Sequence, residues 1–225
     1  AATFSRGTTV LSELLQNARR AKSPSVEILA TDEQVSITDL GGGIEDFSVL
    51  LAMAKSGWDE SVQREDSPYG LGFISGLFAC KTLRVESCGQ RMEAATADLI
   101  ELKMAQVIAA DTGPGTTITL IGHRLGKVNE LRNSLTRMVA GFPIPVRFNG
   151  EELERPDAID CGDFVDFGAG KVSTRVLGGE HVSRFYLQGL PITMPMHRSR
   201  HFSHYNHSHH AIHLDPAQFF GRMPD

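Results

Sequence analysis

Three consecutive glycines, Gly41-Gly42-Gly43, stand directly after the β-rich run Val35–Asp39. Neither helix nor strand continues well through such a stretch, because glycine loses the most conformational freedom on ordering and offers no side chain to pack. A strand therefore ends at Asp39, leaving an acid at its tip beside backbone without Cβ atoms. VEILA, from Val26, precedes it across TDEQ, and the two runs predict a β-hairpin. Upstream, Leu11, Leu14, Leu15 and Ala18 recur at i, i+3, i+4 and i+7. They predict a helix capped by Thr8 or Thr9, running to about Lys22 and ended by Ser23-Pro24.

Beyond the glycines, the pattern predicts a helix over Asp46 to Lys55 and a polar stretch after it. Another helix follows Gly70-Leu71-Gly72 through FISGLFA. Strands are expected at TLRVESC, MEAATADL and TTITLIG, and a helix from Lys127 to Ala140. VRF-Asn149-Gly150-EEL reads as a hairpin with a type I′ turn, and Gly-rich β segments continue to about Leu190. The order predicts an α+β two-layer sandwich, with a mixed or antiparallel sheet and helices on one face. The expected division is a first domain over residues 1–140 and a smaller β-rich segment over 141–225.

Composition narrows the classes. The chain has 225 residues, 41% hydrophobic and 22% charged, with a net charge of -5, so no global basic field points to nucleic acid. Cys80, Cys88 and Cys161 are odd in number and outside CxxC spacing, which speaks against a disulfide scaffold and for a reducing compartment. They are expected to be small buried residues without reactive character. No apolar run reaches the roughly 18 residues of a membrane span, and AATFSRGTTV lacks the apolar core of a signal peptide. The expected location is the cytoplasm. Without an initial Met and ending at GRMPD, the chain reads as a piece of a longer one.

Four short patterns carry chemistry. At ~100° per residue, Glu13 and Asn17 fall about 40° apart, away from the leucine stripe. An amide oxygen can ligate Mg²⁺, which prefers oxygen donors, and a carboxylate one turn away can polarise a water. Asp39 before Gly41 and Gly43 can accept a hydrogen bond from an exocyclic amine while a flat ring approaches the glycines. Gly70-Leu71-Gly72-Phe73 opens a helix, whose N-terminal N–H groups attract phosphate. Gly115-Thr116 begins a strand. Taken singly, these are also the marks of a polar helix face, a glycine turn, close helix packing and a strand start.

Their order is more specific. ELLQNA, DLGGG, YGLGF and GTTITL succeed one another like the N box and glycine boxes of the GHKL ATPases, the superfamily of gyrase, the ninety-kilodalton heat-shock chaperone, histidine kinases and mismatch-repair ATPases. The resemblance spans roughly Thr8 to Leu120. It is greatest to the heat-shock branch, through AKSG (Ala54 to Gly57) and GLGFISGLF (from Gly70). It implies a Bergerat fold binding ATP with Mg²⁺. Glu13 would match the general base, Asn17 the magnesium-holding residue, Asp39 the adenine-reading acid and Gly41 and Gly43 the glycines behind the ring. Lys55, Gly70, Gly72 and Phe73 would match phosphate-side residues, and Thr116 the support of the adenine water network.

The chain departs from the family in four places. Arg20 stands where relatives often carry an acid, near the Glu13 face, placed to pair with an acid or to meet phosphate. The lid segment Ser56–Tyr69 is short, and Val49 replaces an Asn of the chaperone. No motif identifies a second-domain cation for the γ-phosphate, for which Lys171, Arg175 and Arg184 are candidates.

The resemblance implies slow hydrolysis coupled to lid closure or to a nucleotide-dependent homodimer, with an unidentified client. The rivals are a non-hydrolysing nucleotide-binding scaffold and, less favoured, a histidine-kinase catalytic domain. Seven of the nine histidines fall between His197 and His213. His197, His201 and His204 would share a helical face and suit Zn, Ni or Cu, but the favoured expectation there is an exposed polar loop.

Overall fold

The computed structural model describes residues 6–47, 79–101, 103, 105–177, 183–193 and 209–219. The expected helices over Asp46–Lys55 and FISGLFA lie almost wholly outside them. The chain divides into two compact units, Ala1–Leu135 with Ile144–Leu153, and Thr136–Pro143 with Glu154–Asp225.

The first unit opens with α1 (Arg6–Arg20). Leu11, Leu14, Leu15 and Ala18 are buried, as the stripe predicts, and Val10 joins them. The helix starts earlier than expected, so Thr8 and Thr9 lie inside its first turn rather than capping it. Its end is a Schellman closure: Ser23 N–H donates to Ala18 O and Lys22 N–H to Arg19 O, both at 3.0 Å, with Lys22 at φ 54. Ser23 Oγ then accepts the Leu40 N–H at 2.8 Å, fixing the helix end against the chain just past Asp39.

Strands β1 (Val26–Ala30) and β2 (Gln34–Asp39) form the expected hairpin. Thr31 Oγ1 closes it by accepting the Gln34 N–H at 3.0 Å. With β3 (Thr82–Ser87), β4 (Gln90–Ala95), β5 (Val107–Ala109), β6 (Thr116–Ile121), β7 (Val146–Phe148) and β8 (Glu151–Glu152) they build a sheet ordered β5-β4-β3-β6-β2-β1-β7-β8. All pairs are antiparallel except β1 with β7. One face buries Val26, Ile28, Val35, Ile37, Leu83, Val85 and Leu120. The other is polar, carrying cross-strand bonds such as Thr38–Thr117 at 2.9 Å and Ser36–Thr119 at 3.0 Å. This alternation is the two-layer α+β architecture that the periodicity predicts.

Two details differ from expectation. The predicted strand MEAATADL breaks at Ala95, and Thr96–Ile100 is the short helix α2. Thr96 turns the chain: its N–H and Oγ1 both donate to Lys81 O, at 2.9 and 3.1 Å. The Asn149-Gly150 hairpin forms with both residues at positive φ, 51 and 83, as type I′ requires. It joins the first sheet, where the Asn149 side chain holds Ala30 through Oδ1 at 2.7 Å and Nδ2 at 3.0 Å. Helix α3 (Val128–Val139) matches its prediction. Asp32 in the β1–β2 turn caps it by accepting the Val128 N–H at 3.1 Å, a bond that leads in holding this carboxyl below its usual range.

The second unit is built on a sheet ordered β12-β11-β13-β10-β9, from β9 (Phe164–Asp166), β10 (Gly170–Ser173), β11 (Arg184–Leu187), β12 (Leu190–Ile192) and β13 (Ala211–Leu214). β13 corrects the loop expectation for the end of the histidine tract: it is the central strand, and His213 is buried because it alternates inward with Ala211. His197, His201 and His204 lie outside the described residues. Among the described residues no group of three or more His, Cys, Asp or Glu is placed to hold a metal, and no helix is long and apolar enough to cross a membrane.

Asp157 organises this unit. Buried at 1% exposure, its carboxylate accepts Tyr186 Oη at 2.7 Å, Arg184 Nη1 at 2.8 Å and Arg175 Nη2 at 3.2 Å. Its carbonyl accepts His213 Nε2 at 2.7 Å, and the imidazole stacks on Tyr186 with centroids 4.9 Å apart. Burial foremost lowers the His213 pKa from its ordinary 6.5.

The cysteine expectation holds only in part. Cys80 is buried, and burial pushes its thiol up to about 11. Cys88 and Cys161 are exposed, because one occupies the tight β3–β4 turn at φ 47 and the other ends a 3₁₀ turn (Ile159–Cys161).

Candidate functional site

In β2, Asp39 shares parity with Val35 and Ile37, so it emerges on the buried face at the strand's end. Register places Thr116 opposite Asp39 and Ser87 opposite Thr116, one polar row across β2, β6 and β3. Ser87 is fully buried and Thr116 is 7% exposed. Ser87 Oγ lies 3.1 Å from Thr116 Oγ1, donates to Gly115 O at 2.6 Å and accepts the Ile44 N–H at 2.8 Å. Buried hydroxyls at the end of an apolar face are costly unless bonded in this way.

Glycines let the surrounding loops close on this row. A Cβ on Gly41 would lie 2.5 Å from Ala21 Cβ, and one on Gly115 only 1.9 Å from Asp39 O. Gly43, at φ +77, would meet Cys88 Sγ at 2.5 Å, whereas Gly42 has open space. Among the described residues the Asp39 carboxylate accepts one hydrogen bond, from the Gly41 N–H at 2.8 Å. Burial raises its pKa above the ordinary 3.8, against the lowering effect of that bond. The result is a half-buried acid with acceptor capacity to spare, backed by bare backbone.

Glu13 and Asn17 lie on α1, whose C-terminal end meets this loop through Ala21 and Ser23. Ala21, whose Cβ faces Gly41, donates its N–H to Asn17 O at 2.8 Å, so Asn17 sits one helical turn, roughly 6 Å of rise, behind that contact. Glu13 is 9% exposed. Arg20 reaches back along the helix: its Nη1 donates to Glu13 Oε1 and to Asn17 Oδ1, each at 3.1 Å. Arg20 is thus paired with an acid, one of the placements open to it.

Asp39, Gly41, Gly43 and Thr116 thus meet at the β2 tip and the start of β6, while Asn17 and Glu13 lie about one and two turns back along α1 from the Ala21–Gly41 contact. Lys55, Gly70, Gly72 and Phe73 lie outside the described residues. A family model described as the histidine kinase-, DNA gyrase B- and HSP90-like ATPase matches residues 5–124, more than half of the chain. The chain belongs to this family. The match covers α1 through β6, the elements that carry the described candidate residues, and it does not single out the HSP90 branch. No curated protein matches the chain.

For this ATPase-family member, sequence reasoning missed Ser87. Only the three-strand register brings Ser87 beside Gly115-Thr116, and no local pattern around TLRVES marks it. Among the candidate second-domain cations, Arg175 and Arg184 are tied to Asp157, while Lys171 lies in β10.

Proposed function

We propose that this chain is an ATP-binding module that hydrolyses ATP slowly with Mg²⁺, in a chaperone-like cycle of lid closure or self-association in the cytoplasm. The nucleotide site belongs to the first unit. The observation that carries the proposal is the half-buried Asp39 with its spare acceptor capacity, at the tip of a strand flanked by Gly41, Gly43 and the Ser87–Thr116 pair. Such an acid is matched by an exocyclic amine; Gly41 and Gly43 let the loop close tightly around it, and Gly42 is the one of the three glycines that faces open space. Lys55, Gly70, Gly72 and Phe73 complete the phosphate side of the proposed site.

The donor chemistry also suits magnesium. Asn17 supplies a neutral oxygen beside a carboxylate, and Mg²⁺ commonly takes one or two protein oxygens with waters and phosphates. When bound it would neutralise phosphate charge, Asn17 would hold it and Glu13 would take the proton of the attacking water. A non-hydrolysing scaffold is the second reading, and the Arg20–Glu13 ion pair at 3.1 Å favours it, since the carboxylate proposed to take the water's proton is already engaged by a cation.

Asp39→Asn is expected to weaken ATP binding ten-fold or more, roughly 1.4 kcal/mol, by replacing a charge-assisted acceptor. Because burial lifts the Asp39 pKa, wild-type affinity should begin to fall on acidification above the ordinary carboxylate range, as the acceptor is protonated. The Asn variant should lack this component. Calorimetric titration of both proteins across pH tests it, and equal affinities would remove the adenine-reading role. Asn17→Ala should lower ATP affinity in Mg²⁺ but hardly in EDTA, and an equal loss in both would make Asn17 a structural residue.

A further inference from the structure

Glu13, Asn17 and Arg20 lie at i, i+4 and i+7 of α1, within about 60° of one another on the helix. Helical side chains lean toward the N-terminus. The Arg20 side chain therefore lies back over Asn17 and ends at Glu13, and a single nitrogen, Nη1, stands 3.1 Å from both Asn17 Oδ1 and Glu13 Oε1. A permanent positive charge thus sits on the one oxygen that Asn17 could offer a metal, and on the carboxylate proposed as the base. The pair is sheltered, with side-chain exposures of 26% for Arg20 and 11% for Glu13, so solvent screens it less than a surface pair.

We propose that Arg20 is an internal counter-cation that competes with magnesium for Asn17 and holds Glu13 paired until metal–nucleotide displaces it, so that it sets the magnesium requirement of nucleotide binding. The proposal rests on the nucleotide reading above. A guanidinium and a divalent cation repel at this separation, and Mg²⁺ demands near-octahedral oxygen ligation. Binding of the metal–nucleotide therefore selects molecules in which Arg20 has left Asn17. The apparent affinity then falls by the fraction of molecules competent to bind. A contact closed in about four molecules of five raises the apparent magnesium midpoint about five-fold. Arg20 is a positioning residue in this scheme: it acts through Glu13 and Asn17 rather than on the nucleotide.

The test is a magnesium titration of ATP binding, followed by fluorescent-ATP anisotropy, in wild type, Arg20→Gln and Arg20→Lys. Arg20→Gln removes the charge and is expected to lower the magnesium midpoint about five-fold, while ATP binding in EDTA changes less than three-fold. Arg20→Lys keeps the charge and should stay within about two-fold of wild type. It also shows whether shortening the side chain alone disturbs the helix. Tight ATP binding with an unchanged or higher midpoint in Arg20→Gln overturns the competition. Wild-type binding that is equal in EDTA and magnesium overturns it too, since Arg20 would then be a lasting substitute for the metal. No ATP binding by any of the three proteins at millimolar magnesium would instead bring down the nucleotide reading, and the proposal with it.

Discussion

Glu13→Ala is expected to keep ATP affinity within a few-fold of wild type and to cut turnover by about 10²-fold or more. A general base acts on the water, so its removal raises the barrier without touching the contacts that hold the nucleotide. Glu13 lies opposite the buried leucine stripe of α1, so truncating it leaves the packing of that stripe untouched. Its removal also takes one acceptor from Arg20, but Asn17 Oδ1 still holds the guanidinium. If the wild type turns over slowly, the variant should accumulate the ATP-bound form and any dimer that depends on it. Fluorescent-ATP titration, phosphate release and sedimentation on the same preparations separate these effects. Equal turnover in the two proteins would mean that another group activates the water. Wild-type turnover at background would favour the scaffold reading.

The largest effect on stability is expected in the second unit, from Asp157→Ala. Arg175 and Arg184 are 61% and 38% exposed, so water can replace the lost carboxylate for both, and each pair contributes little. Tyr186 has no such recourse. It is 1% exposed, and its hydroxyl would be left inside the core without its acceptor. Loss of a bond to a charged group together with a buried orphan donor costs about 3 kcal/mol. Tyr186→Phe removes donor and bond together while the arginines still satisfy Asp157, and should cost about 1 kcal/mol. Amide exchange at Tyr186 and at Ile212 to Leu214 should accelerate about 10²-fold in Asp157→Ala and far less in Tyr186→Phe. Similar acceleration in both would mean that the carboxylate does little beyond holding the tyrosine.

What was legible in the sequence was whatever a single segment decides. The leucine stripe of α1, the Asn149-Gly150 turn and the strand ended by glycine each follow from periodicity or from one residue's backbone preference. The placement of Glu13 and Asn17 on one side of a helix, and of Asp39 at a strand tip, was legible because such spacing is itself local. Ser87 was not, since its place beside Thr116 depends on two strand registers at once. Thr96 was misread for a similar reason: an alternating run continues through it, but its bonds to Lys81 turn the chain into α2. His213 sat in a tract whose composition is polar, and only its pairing partners in the sheet bury it. The helical wheel put Arg20 near Glu13, but the bond between them depends on how far the side chain reaches back.

The parallel pairing of β1 with β7 has a consequence for how the chain is made. Val26, Glu27 and Ile28 find their partners at Val146, Arg147 and Phe148, about 120 residues later. At cellular synthesis rates that interval is on the order of ten seconds. Throughout it β1 is a bare sheet edge with the apolar sequence VEILA, in which Glu27 alone carries a charge and Leu29 remains 55% exposed even in the finished fold. Open edges of this composition recruit strands from other chains. The family-matched stretch ends at residue 124, before the partner strand has been synthesised. The short hairpin of β7 and β8 thus completes the unit by covering this edge of β1.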